Sequence, residues 1–189
     1  MQIVPQIICT FVSFFSFKNS KIRDGSGNLL VCYHASNSNF TTFSKDKIGS
    51  GNGGANFGKG FYFTPNKRLA SGYGSSIREF YLNITNPLDY YNVSLEEFQK
   101  MVTMSTMNID HDVYDNVTEE DLWNCDLIEL FVACLGYEQK AYYVFDTVIR
   151  ELGYDGIIAD DEIIAFEPNQ IKLVSNINPT VSDDITEEL

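Results

Sequence analysis

The chain has 189 residues, 13 basic against 26 acidic side chains, and a formal net charge of −13. An apolar fraction of 44% and an aromatic fraction of 14% exclude intrinsic disorder and suffice for one domain with its own core. A chain this acidic is not a broad binder of nucleic acids or anionic membranes, which need a cationic surface.

The charge is uneven. Residues 1–83 carry nine basic and three acidic side chains, residues 84–149 two and thirteen, and residues 150–189 two and ten. The N-terminal half is therefore basic inside an acidic protein, a pattern that suits an anion-binding segment or halves that neutralise each other in the fold.

Residues 1–17 carry no charge, and Ile7–Phe17 is mostly apolar. That run is shorter than the roughly 20 residues that span a bilayer. It also lacks the basic start of a signal peptide, since Lys18 follows it. It reads as a core strand or a boundary segment, the expected location is cytoplasmic with secretion left open, and no stable membrane span is expected.

Residues 18–28 are polar and turn-rich. Leu29–Tyr33 reads as a strand that ends at His34. Residues 44–60 form a glycine-rich loop, read as a mobile cover beside a site. Gly60–Thr64 follows as a strand, Pro65–Tyr73 as a short helix, and Ile77–Ile84 as a strand closed by Asn86-Pro87. Ser94 and Thr118, each followed by acids, are helix N-caps, the second for a helix through about Leu135. A third helix runs from about Glu138 to Leu152 and stops at Gly153. Strands at Gly156–Ala159, Ile163–Phe166 and Gln170–Val174 precede an acidic tail. Strands at both ends with helices between indicate an α+β fold.

Cys9, Cys32, Cys125 and Cys134 form no CxxC pair, and His34 and His111 are the only histidines. No zinc site or disulfide framework follows; buried free thiols do. Gly49-Ser50-Gly51-Asn52-Gly53-Gly54 has the letters of a dinucleotide fingerprint, but no strand leads into it and no helix follows to receive a pyrophosphate. Gly53–Lys59 approaches a phosphate-binding loop, yet Gly60 stands where a hydroxyl should hold magnesium.

Three strand-associated segments remain: Val31-Cys32-Tyr33-His34-Ala35-Ser36, Gly60-Phe61-Tyr62-Phe63-Thr64 with Ala70 and Tyr73, and Asp161-Glu162-Ile163-Ile164-Ala165-Phe166-Glu167. Each alone reads as ordinary strand. With Asn19–Asn28, Ala70-Ser71-Gly72-Tyr73-Gly74, Tyr81–Leu88, Tyr154–Ile158 and Phe166–Lys172 they run in one order from about Phe17 to Lys172. In that order they resemble ADP-ribosyltransferases of the His-Tyr-Glu class, the group of diphtheria-type toxins and poly-ADP-ribose polymerases. The resemblance is strongest to the ADP-ribosyltransferase-like domains of phage and mobile-element polyvalent proteins.

The resemblance implies a split β-sandwich, mostly antiparallel, over residues 18–175, with a helical insertion at about 94–152 and a tail at 176–189. It implies NAD as substrate, cleaved at the nicotinamide–ribose bond, with ADP-ribose passed to a macromolecular acceptor; the acidic charge favours protein over nucleic acid as that acceptor. A toxin-like effector role fits that chemistry. Glu162 would be the catalytic glutamate, His34 would hold the adenosine ribose, and Tyr62 and Tyr73 would stack on the nicotinamide. The backbone of Ala35 would pair with the nicotinamide amide. Glu167 is the rival carboxylate, but alternation puts residues 162, 164 and 166 on one face and 167 on the other. Ala35 stands where the family has Gly, and Ala70 where a serine binds the amide; neighbouring Ser71 is the candidate replacement. No metal is implied. NAD hydrolysis, a non-catalytic NAD or ADP-ribose binding module and a phage structural domain are the alternative readings.

Overall fold

The computed structural model describes residues 17–38, 40, 42–49 and 56–174. Cys9, the apolar stretch before Phe17, most of the Gly49–Gly54 run and the acidic tail lie outside these residues. Among the described residues, seven strands build two sheets: β1 (Cys32–Ser36), β2 (Phe61–Phe63), β3 (Ser76–Leu82), β4 (Pro87–Asp89), β5 (Gly156–Ala159), β6 (Glu162–Ala165) and β7 (Ile171–Leu173). One sheet has the order β1-β3-β7 and is antiparallel throughout. The other has the order β2-β6-β5-β4, with β4 parallel to β5 and the other pairs antiparallel. The six α-helices among the described residues are α1 (Lys67–Ala70), α2 (Leu95–Met104), α3 (His111–Tyr114), α4 (Glu119–Asn124), α5 (Leu127–Cys134) and α6 (Ala141–Glu151). The fold is α+β.

The four-stranded sheet is apolar on both faces, so its strands read as continuous hydrophobic runs. Ile163 and Ala165 of β6, with Phe61 and Phe63 of β2, join Cys32, Phe80 and Leu82 of the other sheet in one core. The opposite face presents Ile157, Ile164 and Phe166 to Phe98, Met101, Phe131, Phe145 and Ile149 of the helices. The Phe-Tyr-Phe run of β2 therefore serves two cores, and only its middle residue, Tyr62, is partly exposed.

The helices begin where capping chemistry places them. Ser94 accepts from the Glu97 N–H, and the buried stripe of α2 falls at Phe98, Met101 and Val102. Thr118 and Asp121 form a capping box on α4. The single helix expected from there to Leu135 is two. Cys125 adopts an extended backbone, and Asp126 accepts from the Glu129 N–H to start α5 afresh. Helix α6 ends at Gly153, whose φ of 90° is the left-handed conformation that glycine allows. No helix among the described residues is long and apolar enough to cross a membrane.

Two strands differ from expectation. The apolar run at Leu29 starts in other pairings: Leu29 bridges Arg23, and the Leu30 N–H donates to Ile22. The strand proper is thus Cys32–Ser36, and His34 sits mid-strand rather than at its end. Pro87 opens β4 instead of closing a strand, at the first strand position, where a missing N–H is tolerated. As for the thiols, Cys32 and Cys134 are buried and Cys125 is exposed, all three free. Burial pushes the Cys32 thiol up to about 12 and that of Cys134 up to about 11, so neither is a nucleophile at neutral pH.

Gln170 fastens the ends of several strands together. Its Oε1 accepts from the Phe166 and Glu167 N–H groups, and its Nε2 donates to the carbonyls of Asn83 and Asp155. The side chain is buried, so its loss leaves four backbone groups short of a partner. Gln170→Leu is expected to cost about 3 kcal/mol, read as a fall of roughly 6–12 °C in melting temperature. A melting temperature within 2 °C of the wild type, roughly the shift for less than 1 kcal/mol, would remove this clamp from the account of stability.

Candidate active site

The two sheets part company between β1 and β2, and a cavity of about 590 Å³ opens there. That volume lies within the range of small-molecule sites. Tyr33 and Thr64 hold the apex by reciprocal backbone hydrogen bonds of 2.7 and 3.0 Å. The next residue of β1, His34, and the penultimate aromatic of β2, Tyr62, are thereby brought together.

His34 Nδ1 lies 2.8 Å from the Tyr62 carbonyl oxygen. A carbonyl only accepts, so Nδ1 carries the proton. Burial lowers the pKa of the ring below its ordinary value of 6.5, the Tyr62 hydrogen bond opposes that, and the Arg78 charge adds to it. The ring is therefore neutral at pH 7, and Nε2 keeps a lone pair that can accept from a ligand hydroxyl. Phe40 and Phe43 pack edge-on to the imidazole, with ring centroids 5.8 and 5.2 Å away. Neither phenylalanine follows from the local sequence, because the approach of Phe40 and Phe43 to β1 is a tertiary contact with no local signature.

Tyr62 and Tyr73 differ in exposure and in what their hydroxyls bond. The Tyr62 hydroxyl donates to the Gly58 carbonyl at 2.7 Å and accepts from the Phe57 N–H at 3.2 Å. Burial and the nearby carboxylates of Glu162 and Asp146 push its pKa upward, so it stays a phenol. Its ring can face a ligand while its hydroxyl is committed to the loop. Tyr73 is 42% exposed, and its hydroxyl donates to Glu162 Oε1 at 3.1 Å. That bond raises the pKa of Tyr73 and couples it to the carboxylate. Gly74, beside it, lies so close to Ser36 that a Cβ would meet that backbone at 2.5 Å. This approach seats Tyr73 against the end of β1.

Glu162 opens β6 after the two-residue Asp160-Asp161 connection, where Asp160 has a left-handed φ of 49°. Asp tolerates that region better than most residues. Glu162 lines the cavity, together with His34, Ala35, Tyr62, Ala70 and Tyr73. Glu167 does not. Its Oε1 accepts from Lys45 Nζ at 2.6 Å and sits 3.7 Å from Arg150 Nη1, so it is an ion-pair partner just past the end of β6. Ala35 pairs with Ile77 in the β1–β3 ladder and is not among the residues of positive φ. Alanine at this position is therefore unstrained. Ser71, by contrast, is exposed, donates its hydroxyl to the Arg68 carbonyl at 2.6 Å, and is not part of the cavity wall. The expected substitution of Ser71 for the missing serine has no geometric basis here. Lys59 is also displaced from the anion-binding place its position in the basic half suggests. Its ammonium lies 4.5 Å from the Tyr143 ring centroid, and its side chain is not in the wall.

Asp146 escaped the sequence reading. It is 8% exposed on α6, and its Oδ1 accepts from the Lys59 N–H at 2.6 Å. A Cβ on Gly58, whose φ is 105°, would come within 2.8 Å of that oxygen. Asp146 therefore anchors the strand-entry loop whose carbonyl holds the Tyr62 hydroxyl. Burial raises its pKa, against the backbone hydrogen bond and the charges of Lys59 and Arg150. The one visible signal was a carboxylate set in the apolar stripe of Phe145, Val148 and Ile149. No group of three or more His, Cys, Asp or Glu among the described residues could hold a metal.

Among curated proteins, none matches the chain. A solved structure described as the crystal structure of an anti-CRISPR protein is similar over 76% of this chain and 94% of that one, at 14% identity and a TM-score of 0.41. A likeness that distant carries no functional weight. The model of the family described as ADP-ribosyltransferase in polyvalent proteins matches residues 24–181. That span holds β1 to β7 and every wall residue named above, and the chain belongs to this ADP-ribosyltransferase family.

Proposed function

We propose that the chain cleaves NAD at the nicotinamide–ribose bond and transfers ADP-ribose to a macromolecular acceptor, a protein. The observation that carries this reading is the convergence of His34, Tyr62, Tyr73 and Glu162 on one cavity in a member of this family. The partition into two sheets around that cavity supports the split β-sandwich reading of the fold.

The chemistry gives each residue a task. The C1′–nitrogen bond of NAD breaks, its electron pair leaves with nicotinamide, and the ribose becomes an oxocarbenium-like cation. A carboxylate fixed at that point stabilises the developing charge. Glu162 is the wall carboxylate, and it also accepts the 2′-hydroxyl hydrogen bond that holds the sugar. The acceptor nucleophile then bonds to C1′ and gives up its proton, with Glu162 as the base within reach. His34 Nε2 accepts from the adenosine ribose while Nδ1 remains on Tyr62. The faces of Tyr62 and Tyr73 suit the cationic nicotinamide ring of NAD. The Tyr73 hydroxyl lends Glu162 its hydrogen bond and yields it when the ribose arrives. The backbone of Ala35 supplies the donor and acceptor for the nicotinamide amide.

Labelled NAD incubated with the protein and a cell lysate is expected to leave label on protein. Free ADP-ribose as the sole product would replace transfer by hydrolysis, and an absence of turnover would sink both. Glu162→Gln should keep NAD affinity and lose at least about tenfold in rate, the scale of a lost transition-state contact. Turnover unchanged by that substitution means another carboxylate does the work.

The His34 assignment has a sign that can be checked. The pKa is lower in the folded chain than in the unfolded one, so the unfolded state binds the proton more readily below pH 6.5. The stability contributed by a neutral His34 is complete above that pH and is lost as pH falls through the window beneath it. The stability difference between wild type and His34→Gln should shrink from pH 7 to pH 5. Nitrogen NMR at pH 7 should show Nδ1 protonated and Nε2 bare. An imidazolium, or the opposite tautomer, contradicts the Tyr62 hydrogen bond.

A further inference from the structure

The NAD reading leaves two phosphates to be held, and the cavity wall supplies little charge for them. Lys47 is the one Lys or Arg among the wall residues. Lys45 is committed to Glu167, and Lys59 to the Tyr143 ring. A diphosphate carries two negative charges, so a further cation is missing from this inventory.

Arg78 is not itself in the wall but lies against Phe40, which is. In the antiparallel β1–β3 ladder Arg78 is the direct partner of His34. Directly opposed residues share a face of the sheet, and His34 faces the cavity. The Nη2 atom of Arg78 is buried and has no hydrogen-bond partner among the described residues. None of the ion pairs among the described residues involves Arg78. Its neighbour Glu79 alternates to the other face, where it meets Lys67. The guanidinium carbon lies 4.4 Å from the centroid of the Phe40 ring, the same ring that packs on His34.

A buried, unpaired guanidinium atom is destabilising, and such groups persist where a ligand completes them. The guanidinium also presents a planar fork of donors that matches a phosphate, which an ammonium does not. We propose that Arg78 anchors the diphosphate of the dinucleotide, next to the adenosine ribose held by His34. This rests on the NAD reading above. Phe40 is the cover: the ring moves off the guanidinium, and phosphate oxygens take its place. The exchange is favourable because charge-assisted hydrogen bonds to phosphate are stronger than the stacking they replace.

The test is calorimetric titration of wild type, Arg78→Met and Arg78→Lys with NAD, ADP-ribose and adenosine, alongside thermal melting. Arg78→Met should weaken NAD and ADP-ribose about tenfold or more, the scale of a lost charge-assisted pair, and adenosine less than about twofold. Arg78→Lys should fall between, because it keeps the charge and loses the fork. The melting temperature of Arg78→Met should equal or exceed that of the wild type, since an unsatisfied charge has been removed. A residue with only a structural role behaves oppositely, losing stability and weakening adenosine as much as NAD, and that pattern overturns the assignment. Wild-type binding of NAD that Arg78→Met leaves unchanged overturns it too, without touching the NAD reading. Wild-type protein that binds neither NAD nor ADP-ribose overturns both.

Discussion

The structure turns on one backbone pair. Tyr33 and Thr64 exchange hydrogen bonds across the place where the two sheets diverge. Beyond it β1 stays with β3 and β2 stays with β6, so the gap between them widens into the cavity. The same pair sets the register that lays His34 Nδ1 on the Tyr62 carbonyl. A hydrogen bond from a side chain to a carbonyl already inside a sheet has almost no freedom. The imidazole is thus fixed in tautomer and direction by main-chain geometry, before any ligand contributes.

Three carboxylates lie within a few residues of the site in space, and their surroundings give them different work. Glu167 faces Lys45 and Arg150 and is neutralised there. Asp146 is buried in the helical layer and spends its charge on a backbone N–H of the loop before β2. Glu162 has a single neutral donor, the Tyr73 hydroxyl, and no ion pair among the described residues. A carboxylate free of cations, at a cavity wall and beside two tyrosines, retains its charge for a cationic partner. The developing sugar cation of the proposed reaction is such a partner.

The amino-acid pattern carried the local features well and the remote ones poorly. Alternation along β6 put Glu162 with Ile164, and the structure lines the cavity with Glu162 while Glu167, past the strand end, is ion-paired. Ser94 and Thr118 announced their helices because capping needs only neighbours three residues away. The break between α4 and α5 was missed although Asp126 is also a cap, since an apolar run continues past it and the extended turn at Cys125 has no signature of its own. Pro87 opens a strand where its local sequence indicates an end, because parallel pairing with β5 joins segments about 70 residues apart in sequence, which no local rule sees. Asp146, Phe40 and Arg78 share that failing. Each acts through a contact that exists only once loop, helix and sheet have met. Ser71 is next to Ala70 along the chain but outside the described cavity wall, with its hydroxyl turned back to the helix end.

The net charge of −13 takes a different meaning on this framework. The basic half does not pour its charge into the cavity: Lys45 and Lys59 are turned to Glu167 and Tyr143, and the wall keeps Lys47. What the basic half contributes instead is one guanidinium under Phe40, in the strand register of His34. Its positive charge helps to hold His34 neutral. In the proposed dinucleotide site the two side chains would divide the task, an uncharged ring for a hydroxyl and a guanidinium for phosphate. A histidine that became charged beside Arg78 would add a second like charge and lose the lone pair that accepts from ribose. Most of the acidic side chains of residues 84–149 belong to the helical segment, and Asp146, the one turned toward the site, is taken up by the Lys59 N–H. An overall acidic chain can therefore hold an anionic dinucleotide, because the local arrangement and not the sum decides which charge is felt at the site.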